Sequence, residues 1–263
     1  MSGYLEGIII LICINSIAAM GVSLLTGFTG IFTLGHAGYM AIGAYTAAIL
    51  TVRHHVPWLV AVLAAGTLAM VIAYLIGVPT LKLMGDYFAA NYTTLPVAAA
   101  FFLGMLILMR FLINGNYGRA FKACRDDFVA ASLLGFKTAH YRVLSLAISG
   151  FYCGIAGGLM AGFLTYLQPI MFDMQKSTEL TAVVVFGGLG SLSGSIIGTA
   201  VLGIVTEVFR PISQYRMLIY GAIMVIIMVA RPEGIMGQHE IGPKLLRSLF
   251  SRKTVNEVDG THG

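Results

Sequence analysis

The feature that most constrains this chain is a succession of apolar runs, each about as long as a bilayer is thick. They lie at about 7–26, 28–52, 58–78, 94–113, 143–167, 180–209 and 214–230, and roughly 20 consecutive apolar residues suffice for a helix to cross the hydrocarbon core. Only helices and closed barrels satisfy their own backbone polar groups in lipid, and barrel strands would alternate in polarity over about ten residues, which these runs do not. The expected fold is therefore all-α, a polytopic transmembrane helical bundle. Composition points the same way: 58% of the 263 residues are hydrophobic and 10% charged, against roughly 25% charged in a soluble domain. The first run has neither a basic leader nor a small-residue cleavage site before it ends, so it reads as a retained helix.

The net charge of +5 does not point to nucleic acid, because the cations sit in short loops and at the tail, as the positive-inside rule expects. Five of the sixteen Lys and Arg residues gather in one polar island, 115–142: Arg119, Lys122, Arg125, Lys137 and Arg142. That bias puts the island in the cytoplasm, and Arg231, Lys244, Arg247, Arg252 and Lys253 put the C-terminus there too. With both ends of the later half on one side, 180–209 has to start and finish on the other, with Arg210 and Arg216 facing outside. Its middle, Gly187 to Ser195, reads GGLGSLSGS, where glycine lets a chain turn back, so a glycine-rich re-entrant or hairpin segment is expected. The domain reading is a transmembrane domain over 1–237, with a cytoplasmic loop at 114–142, and a polar cytoplasmic tail over 238–263.

Small residues recur every fourth position. Gly150, Gly154, Gly158 and Gly162 form one ladder and Gly190, Gly194 and Gly198 another, the pattern by which membrane helices pack backbone to backbone. A short internal echo relates Leu34-Gly35 and Ile42-Gly43-Ala44 to Leu189-Gly190 and Ile197-Gly198-Thr199 at equal spacing. Paired glycine-interrupted segments in two halves point to a transporter's central site.

Within the island, Phe121, Cys124, Phe128 and Ala131 recur at helical spacing and define one apolar face, with Gly135 where a C-terminal cap belongs. This reads as a short amphipathic helix, either lying at the lipid headgroups or docking on a protein. Polar residues inside spans mark pathways, because burying them is costly. Asn15, His36, Glu179 and Glu207 stand out. Asn15 is an interhelical hydrogen-bonding or pathway residue, and His36 sits in the glycine-rich break TLGHAGY with Thr33 and Tyr39 close in sequence. The two glutamates fall near span ends, where water reaches. The three cysteines have no metal-ligand or redox spacing. No phosphate-cradling GxxxxGK[ST] occurs, and Gly85-Asp86 lacks the glycine two positions earlier that an intramembrane aspartyl protease pattern needs, so the chain is not expected to be an enzyme.

The segment AASLLG, Ala130 to Gly135, fits the coupling motif of ABC-importer permeases, and GRAFKACRDDFVAASLLGF resembles its branched-chain amino acid version. Leu24 to Tyr45, Leu83 to Ala89, Val183 to Gly198 and Tyr215 to Gly237 resemble successive signatures of the LivM-like permease family, over about residues 8 to 237. The resemblance implies a bacterial inner-membrane permease subunit working by alternating access. Its partners would be a homologous second permease, two cytoplasmic ATPases that bind the ATP, and an extracytoplasmic binding protein. The island would be the coupling helix that docks on an ATPase, through Gly118, Arg119, Phe121, Arg125, Asp126, Asp127, Phe128, Ala130, Ala131 and Gly135. The cargo would be a branched-chain amino acid. The alternatives are urea, short amides or simple sugars carried by the same superfamily, an ion-coupled secondary transporter, or a non-transporting scaffold.

One departure from the family stands out. There the GDYFA motif is followed by a further membrane segment before the helix that leads to the coupling motif, whereas here Ala89 runs almost directly into NYTTLPVAAAFF. An internal deletion, with impaired transport, is the expectation; the alternative is a path through 28–80 that differs from the family's.

Overall fold

The computed structural model describes residues 2–31, 33, 35–76, 87–88, 93–164 and 166–208. The span expected at 214–230, the tail, Arg210 and Arg216 lie outside the described residues. Helix α1, Ser2–Val22, continues into one π-helical turn, Ser23–Phe28. Then come α2, His36–Val52, α3, Trp58–Ile76, and α4, Leu95–Asn114, which opens with Pro96 in its first turn, where a missing N–H costs nothing. The island holds α5, Asn116–Asp126, and α6, Phe128–Leu133. It leads into α7, Thr138–Phe163, and beyond a 3-10 turn at Pro169–Phe172 follow α8, Met174–Gly187, and α9, Leu192–Val208. The strand β1, Tyr87–Phe88, pairs antiparallel with β2, Tyr166–Leu167. The chain is an all-α polytopic bundle: Gly3–Phe28, Leu95–Asn114 and Thr138–Phe163 are each long and apolar enough to cross a membrane.

Helix α7 is the packing axis, and its glycine ladder explains why. Gly150 and Gly154 meet the Cβ atoms of Ala73 and Ala69 on α3, and Gly158 meets Ala65. Two four-residue ladders of small residues thus interlock, one on each helix. On another side of α7, Gly154 and Gly157 receive Gly43 and Met40 of α2, backbone against backbone. Trp58 closes on Gly162. The second ladder packs the hairpin on itself, with Gly187 against Gly194 and Gly198 against Val183 and Gly187. Helix α1 threads the centre, with Ile14, Ile17 and Met20 fully buried, while α4 turns Leu103, Ile107 and Phe111 outward, as a rim helix facing acyl chains would.

The contacts also give directions. Trp58 at Gly162 and Ala73 at Gly150 make α3 antiparallel to α7, so α3 runs toward the island end of the bundle. Yet β1 sits on β2, just past the far end of α7, and Thr93 donates its N–H to the Gly162 carbonyl there at 3.1 Å. Only ten residues separate Ile76 from Tyr87, half of what a membrane-crossing helix needs. The missing crossing expected from the sequence falls after Ala89, at residues outside those described.

One expectation about segments needs correction. The run 28–52 is not one helix: the π turn ends at Phe28, Gly30 takes φ +72°, and helix resumes only at His36. The run 180–209 is two helices whose axes bend by 119° at a break between Gly187 and Leu192. Gly188 and Gly190 supply the turn with φ of +118° and +91°, a region closed to most side chains.

Candidate functional site

The two breaks meet. A Cβ placed on Gly27, in the π turn, would stand 2.6 Å from the Gly190 nitrogen, so the end of α1 and the α8–α9 break touch through bare backbone. Both halves of the sequence echo sit at such transitions, Gly35 just before α2 and Gly190 just before α9. The start of α2 has no side-chain cap of its own; instead the Ala37 N–H donates to Ser177 Oγ of α8 at 3.1 Å.

Near this junction lie buried polar atoms with no hydrogen bond of ordinary length, Ser23 Oγ and Thr26 Oγ1 on the π turn and both ring nitrogens of His36 at the start of α2; Ser149 Oγ on α7, whose backbone lies against Gly21 of α1, is another. An unmet buried polar group costs about 1–3 kcal/mol, and intramembrane polar groups of this kind mark pathways. His36 is fully buried. Thr33 turns back on its own chain, accepting the Gly35 N–H at 3.2 Å. Tyr39 does not join the polar group: it packs with Ile42, Ala69, Ala73 and Cys153 between α2, α3 and α7. Asn15 lies half-buried in α1. Glu179 is ion-paired with Lys176 at 3.3 Å, and Glu207 accepts from the Tyr4 hydroxyl. The sequence reading missed Ser23, Thr26 and Ser149, because serine and threonine in apolar runs look like ordinary helix residues until their partners are known.

The island is not a single helix. Asp127 takes extended backbone angles, φ −150° and ψ 110°, and its Oδ1 accepts the Val129 and Ala130 N–H groups at 2.8 and 2.9 Å, capping α6. The other end of α6 closes on Gly135, φ +84°, with Gly135 N–H to the Ser132 carbonyl and Phe136 N–H to the Ala131 carbonyl, both at 3.1 Å. The break moves Phe128 off the apolar face expected from spacing. Phe121, Cys124 and Ala131 are buried, whereas Phe128 is exposed beneath the Arg142 guanidinium, 4.4 Å from its ring centroid. Phe121 packs edge-on to Tyr141, so this anchor seats the island on its own bundle rather than on a partner. Gly118 lies tight against the Ile113 backbone. Burial pushes the Cys124 thiol up from its ordinary value, against the opposing pull of Arg142.

What faces outward is different from the expected set. Val129, Leu133 and Leu134 are 63%, 82% and 77% exposed, with Ala130 beside them and Asp126, Asp127 and Arg119 around the rim. Arg125 turns the other way, into the bundle.

A membrane bundle with interrupted helices at its core and a capped apolar helix carried outside on a basic loop has the build of a multi-pass membrane permease. The family model for the permease component of the branched-chain amino acid transport system matches residues 4–104 and again 90–228, and the chain belongs to that family. Among curated proteins it is 27% identical to the high-affinity branched-chain amino acid transport system permease protein LivM of Escherichia coli K12. That match takes in 84% of this chain and 67% of LivM. It is 32% identical over 160 residues to LivH of the same organism, covering 59% of this chain and 52% of LivH. The fructose import permease protein FrcC of Rhizobium meliloti is 24% identical over 155 residues, 56% of this chain and 43% of its own. No solved structure matches.

Proposed function

We propose that the chain is the permease subunit of an ATP-binding cassette importer, carrying branched-chain amino acids (leucine, isoleucine or valine) or related amino acids across a bacterial inner membrane. A second, homologous permease, two cytoplasmic ATPases that bind the ATP, and an extracytoplasmic binding protein complete the machine. The island is its coupling element, and the C-terminus shares the island's cytoplasmic side. One observation carries this reading above all. A loop helix held rigid by a cap at each end presents Val129, Leu133 and Leu134 to water, which costs free energy unless a partner covers them. Charges at the rim, Arg119, Asp126 and Asp127, would set the register of docking. The polar atoms of Ser23, Thr26, His36 and Ser149, with Asn15 nearby in sequence, line the path by which a zwitterion passes, and Gly150 to Gly162 hold the wall.

Co-purification with the ATPase subunits tests the reading. The wild-type chain should retain them, and Leu133→Asp with Leu134→Asp should lose them while keeping its own fold, because both side chains already face solvent. Retention by the double variant, or no association of the wild type, refutes the docking assignment. A fructose cargo has one observation behind it, the match to FrcC. Competition of leucine against fructose for the reconstituted complex separates the two.

A further inference from the structure

Arg125 belongs to the island by sequence and to the core by contact. Its Nη1 donates to the Gly27 carbonyl at 3.0 Å, across 98 positions of chain, while Nε and Nη2 both donate to Asp126 Oδ1, at 3.0 and 2.9 Å. The alkyl stem crosses Gly30, where a Cβ would sit 3.1 Å from Cγ. The guanidinium also occupies the space beside Gly190, where a Cβ would come within 2.7 Å of Nη1. Its side chain is 23% exposed, against 65% for Asp126. One turn earlier, the Lys122 ammonium stands 5.5 Å from the Phe28 ring centroid.

The physical sense of these contacts is specific. The last carbonyls of a helix have no partner within it and carry partial negative charge. Arg125 fills that need for α1 from another element, and its planar fork lets one group bond two acceptors at once. A third surface of the same group rests on the α8–α9 break. Displacement of α5 therefore acts directly on both interrupted segments, without passing along α7.

We propose that Arg125 is a positioning residue that transmits movement of the island to the π turn of α1 and to the α8–α9 break. This rests on the coupling reading above. The island's outer face meets the ATPase, and Arg125 on its inner face converts that contact into a shift of the core.

The test is amide hydrogen exchange on the full complex in nanodiscs, nucleotide-free and trapped with ADP-vanadate. In the wild type, exchange at 27–31 and at 188–191 should change by about tenfold on trapping. In Arg125→Ala, with ATPases still bound, the change should be confined to α6. Arg125→Lys retains the charge at the α1 terminus, so it should restore part of the response at 27–31, but with a single ammonium it should not restore the response at 188–191. A wild-type response at both segments in Arg125→Ala, or full recovery in Arg125→Lys, overturns the inference. If the wild-type chain never binds ATPases, the coupling reading fails by itself. The pin is then judged on the isolated chain, where Arg125→Ala should raise exchange at 27–31 and 188–191 together and leave Val129 and Ala130 unchanged; no change at either segment overturns it.

Discussion

Gly154 is the position where the packing of this bundle can be measured most directly. It lies between α2 and α3, with the Gly43 backbone on one side, and a methyl added to it would meet Ala69 Cβ at 2.5 Å, the Ala65 carbonyl at 3.0 Å and Gly66 Cα at 3.1 Å. Two methyl carbons in ordinary contact stand about 3.5–4.0 Å apart, so Gly154→Ala forces α3 outward by about 1 Å. Such overpacking costs about 1–3 kcal/mol. Alanine's helix propensity returns about 1 kcal/mol, which leaves a net loss of about 0–2 kcal/mol, or up to about 30-fold in the folding equilibrium. Ala69→Gly removes the partner methyl. The double variant should therefore be more stable than the sum of the singles by about 1 kcal/mol or more, since the two sites share one contact. Reversible unfolding in mixed micelles reads all four proteins. Strict additivity in the cycle would show that α3 and α7 do not approach this closely.

Asp127→Ala should cost α6 about 1 kcal/mol of cap energy, seen as faster amide exchange at Val129 and Ala130, with weaker ATPase retention following from it. His36→Leu replaces an imidazole whose nitrogens have no partner with an apolar group of similar size, so unfolding should show equal or greater stability while uptake falls; a loss of stability would refute the partnerless geometry. Cys124, held protonated by burial, should resist thiol reagents at pH 8 in the folded chain. Because its folded pKa lies above that of the unfolded chain, its contribution to stability is complete below the ordinary thiol value of 9.0 and lost as the pH rises beyond it.

Much of this architecture is legible in one dimension because lipid simplifies the code. Apolar length alone finds α1, α3, α4 and α7, and the four-residue glycine spacing locates the faces through which α7 and the hairpin pack. The turn in GGLGSLSGS is visible because two glycines there adopt angles other residues avoid. The break before α2 is only partly visible: TLGHAGY marks a glycine-rich interruption, but nothing in hydropathy says that helix is absent from Thr29 until His36. The island misleads in a different way. Helical spacing puts Phe128 with Phe121 and Cys124 only if the helix is continuous, and one aspartate, by preferring to cap, rotates everything after it. Arg125 illustrates the same limit, since a cation in a polar loop looks like a docking charge and one of its two acceptors is 98 residues away. The partnerless Ser23, Thr26 and Ser149 leave no trace in sequence, because what defines them is a missing neighbour.

The ten residues between Ile76 and Tyr87 raise a question of parity. In a protein threaded through a bilayer, each crossing ordinarily hands its sidedness to the next, so losing one would invert everything downstream. Here α4 still descends toward the island end and α7 still climbs away from it, in the same sense as α1 and α2 before them. Consecutive helices α3 and α4 thus both run toward the island end. By the positive-inside rule the five cations of the island act on the end of the bundle where α4 stops and α7 starts, whichever way the first half is placed.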